Sequence, residues 1–152
     1  MAIQAPYSSY RKKNLVIWAV VLLAAAAWFA YDGYINEDFI QEHTSEEGVA
    51  DSDLKLNRMA PFVLVPGAAL LGIGYWLFGK KKVTADEEGI TAEGRSIKYD
   101  QIEAVNKTHF DNKGKFTVIY KDANGKQDEL VLSRYKYDNI SAVLDKIVEK
   151  IS

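Results

Sequence analysis

Cysteine is absent from this sequence of 152 residues, and histidine occurs only at His43 and His109. The absence of cysteine excludes disulfide bonds, thiolate nucleophiles and cysteine-ligated metals. Neither histidine belongs to a recognisable catalytic or metal-binding motif. Glycine-rich phosphate loops, the HExxH motif and EF-hand spacing are missing as well. We therefore expect a protein that is not an enzyme and that binds no cofactor or metal ion.

Charged residues are absent from two long apolar stretches, Leu15–Tyr31 and Ala60–Phe78. A helix rises about 1.5 Å per residue and a bilayer core is roughly 30 Å thick. Each stretch, with its flanking residues, is therefore long enough to cross a membrane. We predict transmembrane helix 1 over residues 15–35 and transmembrane helix 2 over residues 60–78. Because neither span carries a charge, no proton relay or ion path is expected inside the membrane.

The first apolar stretch has an alternative interpretation as a cleavable signal peptide. A basic segment precedes it, and Ala25–Ala27 offer small residues at a cleavage position. However, the stretch continues through Trp28, Phe29 and Tyr31. Aromatic residues of this kind concentrate at membrane interfaces. The sequence therefore favours an anchor that stays uncleaved.

Basic residues flank the outer ends of the two spans, while residues 32–59 carry eight acidic and two basic side chains. Lysine and arginine are enriched on the cytoplasmic side of membrane helices. We therefore predict a bacterial inner-membrane protein with both termini in the cytoplasm. Its parts are a cytoplasmic tail (1–14), an acidic extracytoplasmic loop (36–59) with one short helix near Glu37–His43, and a basic tether (79–82). Candidate contacts to anionic lipid headgroups are Arg11, Lys12, Lys13, Lys80, Lys81 and Lys82.

Small residues in the two spans predict close helix packing. Ala68 and Gly72 form a small-xxx-small pair, which allows a second helix to approach closely. That helix can be the first span or a helix of another membrane protein, and the sequence leaves both open. Pro61 is expected in the first turn of the second span, and Pro66 is expected to kink it. The candidate helix-packing residues are Ala26, Ala30, Gly67, Ala68, Gly72 and Gly74.

The region from residue 83 to 152 predicts a small antiparallel sheet followed by a helix. Lys115–Lys121 alternates apolar and polar residues, Asn124-Gly125 is a hairpin signal, and Glu129–Ser133 alternates again. The period then becomes helical, with Asp138 or Asn139 as the expected N-cap. Apolar residues at this spacing are Ile140, Val143, Leu144, Ile147, Val148 and Ile151.

The order of turns and apolar positions in residues 83–152 resembles bacterial pleckstrin-homology-like (PH-like) domains. The resemblance is carried by Gly89-Ile90, Tyr99–Ile102, Gly114–Phe116, the Asn-Gly hairpin and the final apolar helix. It implies an α+β fold, in which an antiparallel partial barrel is capped by the C-terminal helix. Eukaryotic members bind phosphoinositides through basic residues in the first hairpin loop, but Asp86–Gly89 is acidic here. The resemblance therefore does not imply inositide binding at that loop.

Two functions remain open from the sequence. The preferred one is an accessory or scaffolding subunit of a larger membrane complex, with the C-terminal domain as a cytoplasmic interaction module. The alternative is a membrane-surface sensor that binds anionic headgroups or a small ligand. A net charge of −2 argues against nucleic-acid binding, and a homo-oligomer is also compatible with the spans. A candidate partner-contact patch comprises Arg134, Tyr135, Lys136 and Tyr137.

Overall fold

The computed structural model describes all residues from 1 to 152 and has two compact units. One unit, Lys13–Trp76, contains most of two long helices and the loop between them. The other unit combines Met1–Lys12 with Leu77–Ser152 and contains all seven β-strands. The long apolar helices and the antiparallel β domain predicted from the sequence are therefore both present.

The two long helices are α1 (Ser9–Tyr34) and α3 (Ser52–Gly79). Both are long and apolar enough to cross a membrane, judged by length and composition. Each begins several residues before the predicted span. For α3 the reason is a cap, because Asp51 Oδ1 accepts a hydrogen bond from the Leu54 N–H at 2.9 Å. Because α3 begins at Ser52, Pro61 lies inside the helix. The sequence had predicted Pro61 in the first turn, so that prediction is wrong.

The acidic loop is folded. It contains the short helix α2 (Glu37–Glu42), close to the predicted position. Asn36 caps α2, with its side-chain oxygen accepting from the Phe39 N–H at 3.4 Å. After α2, an isolated antiparallel β-bridge pairs Thr44 with Ala50, so the chain reverses direction before α3 begins.

The β domain has a four-stranded and a three-stranded antiparallel sheet. The first sheet is ordered β1-β2-β3-β4 and the second β5-β6-β7. The strands are β1 (Ile3–Pro6), β2 (Lys82–Ala85), β3 (Gly89–Ala92), β4 (Arg95–Lys98), β5 (Ile102–Asn106), β6 (Lys115–Lys121) and β7 (Gln127–Ser133).

The N-terminal strand β1 differs from the tail expected at residues 1–14. Ala5 lies opposite Val83 in the β1–β2 ladder, and both side chains are fully buried. Pro6 ends the strand at the sheet edge, where its missing N–H is tolerated. A strand of four residues has too little periodicity to be recognised by itself. Its pairing depends on β2, which lies beyond both long helices in the sequence.

The core of this unit lies between the sheets and α5 (Ile140–Ile151). Every second side chain of β6 is buried, as the sequence predicted, and these residues are Phe116, Val118 and Tyr120. Most of the predicted apolar stripe of α5 is buried as well, with Val143 and Ile147 fully inaccessible to solvent, whereas Ile151 at the end of the helix is exposed. Burying a side chain of this size contributes roughly 1.5–3 kcal/mol. This helix therefore owes its stability mainly to packing.

The segment before β6 and the start of α5 show two further local features. A strand would be expected from the sequence over Ile102–Phe110, but β5 ends at Asn106 and a short helix, α4 (Phe110–Lys113), follows it. Gly114 ends α4 in the left-handed conformation, with φ of 61°. Asn139 precedes α5 but makes no capping bond with its side chain, and the carboxylate of Asp138 bonds to another helix.

Candidate functional site

The start of α1 is tied to the loop between β7 and α5. Asp138 Oδ2 accepts a hydrogen bond from the Ser9 N–H at 2.8 Å. This bond and the partial positive charge of a helix N-terminus both favour the carboxylate. The pKa of Asp138 is accordingly lowered, with the Ser9 N–H as the main cause. The Ser8 N–H also donates to Lys136 O at 2.9 Å, which fixes the residue before the helix.

An aromatic cluster lies beside this cap. The Tyr7 ring stacks on Phe78 with a centroid distance of 5.9 Å and meets Tyr137 edge-on at 6.5 Å. The Tyr7 N–H donates to Lys81 O at 2.9 Å. The last turn of α3 is thereby held against the strand that precedes α1.

Tyr137 is almost completely buried, at 1% exposure. Its hydroxyl donates to Glu93 Oε1 at 3.2 Å. Burial, followed by the nearby Glu93 carboxylate, raises the pKa of Tyr137 to about 12. The phenol therefore stays neutral at physiological pH and serves as a hydrogen-bond donor to Glu93.

A cavity of about 540 Å³ lies next to this tyrosine, and we call it the basic cavity. Four lysines and one glutamate leave its lining with a formal charge of +3. Glu93 makes an ion pair with Lys136, and this bond is the main cause of a lowered Glu93 pKa. The residues lining the basic cavity are Lys80, Lys81, Lys82, Glu93, Gly94 and Lys136.

Glu93 and Gly94 form the two-residue turn between β3 and β4. Their φ angles are 53° and 80°, and the flanking Ala92 and Arg95 pair with each other. Turns with two positive φ angles favour asparagine, aspartate or glycine at the first position. A glutamate there costs on the order of 1 kcal/mol in backbone energy. Its carboxylate lies in the lining of the basic cavity, where it contacts the Lys136 ammonium and the Tyr137 hydroxyl.

The two basic segments of the predicted headgroup set approach each other at Lys12, since a Cβ added to Gly79 would lie 3.7 Å from Lys12 Cδ. Lys80, Lys81 and Lys82 share the basic cavity, and Lys136 joins them from the predicted partner-contact patch. Arg11, Lys12 and Lys13 lie in the first turns of α1. Glu93 was not selected from the sequence, because its neighbours in space come from distant segments.

The predicted partner-contact patch does not form one exposed surface. Tyr135 is 62% exposed, whereas Tyr137 belongs to the core. The Arg134 guanidinium lies 4.7 Å from the centroid of the Phe110 ring and donates to Phe110 O at 3.3 Å. Arg134 and Tyr135 are therefore the exposed members of the patch, whereas Lys136 is half-buried and Tyr137 is buried.

The helix-packing residues also divide into two groups. Ala26 and Ala68 are buried, and a Cβ added to Gly67 would lie 3.4 Å from Leu22 Cδ1. Ala30 and Gly74 are half-buried. A Cβ added to Gly72 would meet nothing within 4 Å. The α1–α3 contact thus uses Ala68 and Gly67, while Gly72 lies on an open face of α3.

Gly33 marks a closer contact that sequence reasoning missed. A Cβ at this position would lie 3.0 Å from the backbone carbon of Asn57. Arg58 reinforces the contact by donating from Nε to Gly33 O at 2.9 Å. The available signal was a single glycine just after the aromatic end of the first apolar stretch.

His43 has a partner that the sequence did not reveal. Its Nδ1 lies 2.7 Å from Asp51 Oδ2, and its ring packs on Phe39 at a centroid distance of 4.1 Å. The hydrogen bond to Asp51 is the main cause of a raised His43 pKa. Asp53 completes a group whose ligand atoms lie within 4.8 Å of one another. A cation could use these atoms only by displacing the His43–Asp51 bond.

Comparisons of the chain with protein-family models, with curated proteins and with solved structures gave no significant match.

Proposed function

We propose that the chain is a non-enzymatic, two-span protein of a bacterial inner membrane and acts as an accessory or scaffolding subunit of a larger membrane complex. Its β domain serves as the interaction module. The observation that carries this proposal is the direct connection between the helix ends and the β domain. Only Tyr7 and Ser8 separate β1 from α1, and only Lys80 and Lys81 separate α3 from β2.

Such short connections suit a scaffold, because they limit the freedom of the domain at the membrane surface. The Ser9–Asp138 and Tyr7–Lys81 hydrogen bonds lie within the unit that contains the β domain, and they attach the ends of the two long helices to it. A partner that binds the domain would therefore be held close to the membrane. A partner helix that packs on the spans would be positioned by the same connections.

The β1–β2 pairing also supports the proposed topology. β1 precedes α1, β2 follows α3, and the two strands pair residue by residue. If both helices cross a membrane, the paired strands must lie on the same side of it. The flanking lysines and arginine then favour the cytoplasm for that side.

We also propose that the β domain is PH-like. Four strands in one sheet, three in the other and a C-terminal helix agree with that architecture. In this arrangement β1 is the first strand of the domain, and the acidic Asp86–Gly89 segment follows β2 as the second loop rather than the first hairpin loop expected from the sequence. The two spans and the acidic loop are then an insertion in the first strand connection, rather than an anchor placed before the domain.

A second function, sensing of anionic lipid headgroups, is favoured by the basic cavity. Lysines at membrane surfaces attract anionic lipid by about 1 kcal/mol each. Changing Arg11–Lys13 and Lys80–Lys82 to glutamine should abolish preferential binding to vesicles that contain phosphatidylglycerol. Unchanged binding would remove this second function.

The subunit proposal is tested by native size after gentle detergent extraction, followed by mass spectrometry of the proteins that co-migrate. Gly72→Leu adds bulk on the open face of α3 and should release the chain from a fixed complex. Leu70→Met changes another exposed span residue without adding bulk, so it serves as the matched control. A parent chain that migrates alone or as a small homo-oligomer would refute the proposal.

A further inference from the structure

One flank of α3 carries a continuous row of largely exposed residues. The row advances in steps of three or four positions, a spacing that keeps side chains on one side of a helix. Phe62 is 68% exposed and Val65 is 48% exposed. Ala69 and Gly72 are exposed as well. We call this row the α3 seam, and it consists of Lys55, Arg58, Phe62, Val65, Ala69 and Gly72.

The apolar part of the α3 seam has the shape of a surface for a second helix. Ala69 and Gly72 are small, and a Cβ added to Gly72 would meet nothing within 4 Å. Small residues at this spacing allow the backbones of two membrane helices to approach closely. A partner helix can therefore pack here without displacing any part of this chain.

Pro66 gives an independent indication on the same flank. It lies inside α3 and is exposed. Because proline has no N–H, the carbonyl of Phe62 loses the bond that an α-helix would provide four residues later. In membranes, carbonyl groups freed in this way are commonly satisfied by a neighbouring helix. The two apolar stretches of this chain contain no serine, threonine, asparagine or glutamine, so a helix from another protein would have to bring such a donor.

The end of the α3 seam next to the acidic loop, which we call its loop end, is cationic. Lys55 and Arg58 are the only lysine and arginine between the two apolar stretches. The one ion pair in this segment joins His43 and Asp51, so both cations remain uncompensated. Arg58 is also held in place, because its Nε donates to Gly33 O at 2.9 Å. The loop end therefore presents fixed positive charge to any helix that packs on the seam.

These charges discriminate between two occupants. A second copy of the chain, inserted in the same orientation, would present the same surface across a twofold axis. Lys55 and Arg58 would then lie next to their own copies, and like charges in contact are unfavourable. A helix with a carboxylate at this level would neutralise them instead. The charge pattern thus favours a different protein over a second copy.

We propose, building on the subunit function above, that the α3 seam is the docking face for a transmembrane helix of another protein. This helix carries an aspartate or glutamate beside Lys55 and Arg58, and its own small residues pack on Ala69 and Gly72. The carboxylate fixes the register of the two helices, because the apolar part of the seam would accept several registers.

The test uses the full chain in phosphatidylcholine vesicles and measures energy transfer from a fluorophore on the chain to one on a synthetic peptide. The peptide has about 20 apolar residues, with alanine and glycine at small-xxx-small spacing. One version ends in glutamate and the other in glutamine. Lys55→Gln should weaken association of the glutamate peptide roughly 1.5- to fivefold, the range for one exposed ion pair, and should leave the glutamine peptide unchanged. The two changes form a double-mutant cycle, which isolates this contact.

Matched controls separate the α3 seam from the rest of the chain. Gly72→Leu adds bulk in the seam and should weaken association of both peptides. Val63→Leu adds bulk on the opposite flank of α3, where Val63 is 69% exposed, and should leave association unchanged. Lys126→Gln, at an exposed position of the β domain, should affect neither peptide.

Three results would overturn the proposal. The first is an equal effect of Lys55→Gln on the two peptides, and the second is an equal effect of Gly72→Leu and Val63→Leu. The third is energy transfer between two labelled copies of the chain that Gly72→Leu abolishes, because a second copy would then occupy the α3 seam.

Failure of this proposal is distinguishable from failure of the subunit function. If the parent chain migrates in a fixed complex after detergent extraction but the peptides show no coupling to Lys55, the subunit function stands and the docking face is refuted. If the coupling is present but the parent chain migrates alone, the subunit function is refuted and the α3 seam stands as a helix-binding surface.

Discussion

Pro6 lies opposite Lys82 in the β1–β2 ladder, so the last residue of the N-terminal strand pairs with the first residue of the strand that follows α3. The two residues are separated by both long helices and the acidic loop. Their pairing makes the first residues of the chain part of the β domain. The consequences of this arrangement can be tested by substitution.

Ala5→Asp should destabilise the β domain strongly, because residue 5 is fully buried opposite Val83. A buried, unpaired carboxylate costs on the order of 3 kcal/mol or more in folding free energy. Gln4→Glu places a similar charge on the exposed side of the same strand and should have little effect. Chemical unfolding in detergent measures both. Equal stability of the two variants would mean that β1 is not part of the folded domain.

Asp138→Ala should lower stability by about 1 kcal/mol, because it removes the cap of α1. The pKa of Asp138 is lowered in the folded state, so its contribution is present above the unfolded value near 3.8. That contribution is lost as the pH falls through the lower folded value. The difference in melting temperature between parent and variant should therefore shrink in acid. Asp145→Ala, an exposed carboxylate on α5, is the control and should show no such difference.

Gly33→Ala should destabilise the helix pair, because the added Cβ would meet the backbone of Asn57 at 3.0 Å. Overpacking of this kind costs roughly 1–3 kcal/mol. Gly72→Ala is the matched control, since nothing lies within 4 Å of the added carbon. Thermal unfolding in detergent should separate the two variants by several degrees. A melting temperature for Gly33→Ala at or above that of the control would contradict the close approach.

The His43–Asp51 bond should make the loop sensitive to pH. The folded pKa of His43 is raised above 6.5, so its contribution is complete below 6.5 and is lost as the pH rises through the folded value. The Asp51 pKa is lowered, first by the Leu54 N–H and then by His43, so its contribution disappears in acid. The loop should therefore be most stable between these two transitions.

Titration of the His43 ring by NMR measures this coupling directly. In Asp51→Asn the main cause of the raised pKa is gone, and the His43 pKa should fall towards its usual value. Glu42→Gln removes a weaker electrostatic contribution and should produce a smaller decrease. If the His43 pKa is the same in Asp51→Asn as in the parent, the bond does not exist in solution.

Local patterns in the sequence were enough to predict several elements of the structure. The β6–β7 hairpin follows from alternating residues on both sides of Asn124-Gly125, and its residues pair in register. The apolar period of α5 and the absence of charge in the two long stretches were equally informative. Each of these signals lies within one element, so it can be recognised without knowing what the element packs against.

Other features depend on residues that are far apart in the sequence, and only the tertiary structure decided them. β1 has only four residues and is stabilised by its pairing with β2 and by the packing of Ala5 in the core. Glu93 and Lys136 meet because a turn of one sheet and the loop after the other face the same cavity. Gly33 matters because the backbone of α3 passes within van der Waals distance of it. The sequence by itself determined which segments are apolar helices and which alternate as strands. The fold decided which of the polar residues became neighbours, since contacts of that kind depend on chain geometry rather than on local periodicity.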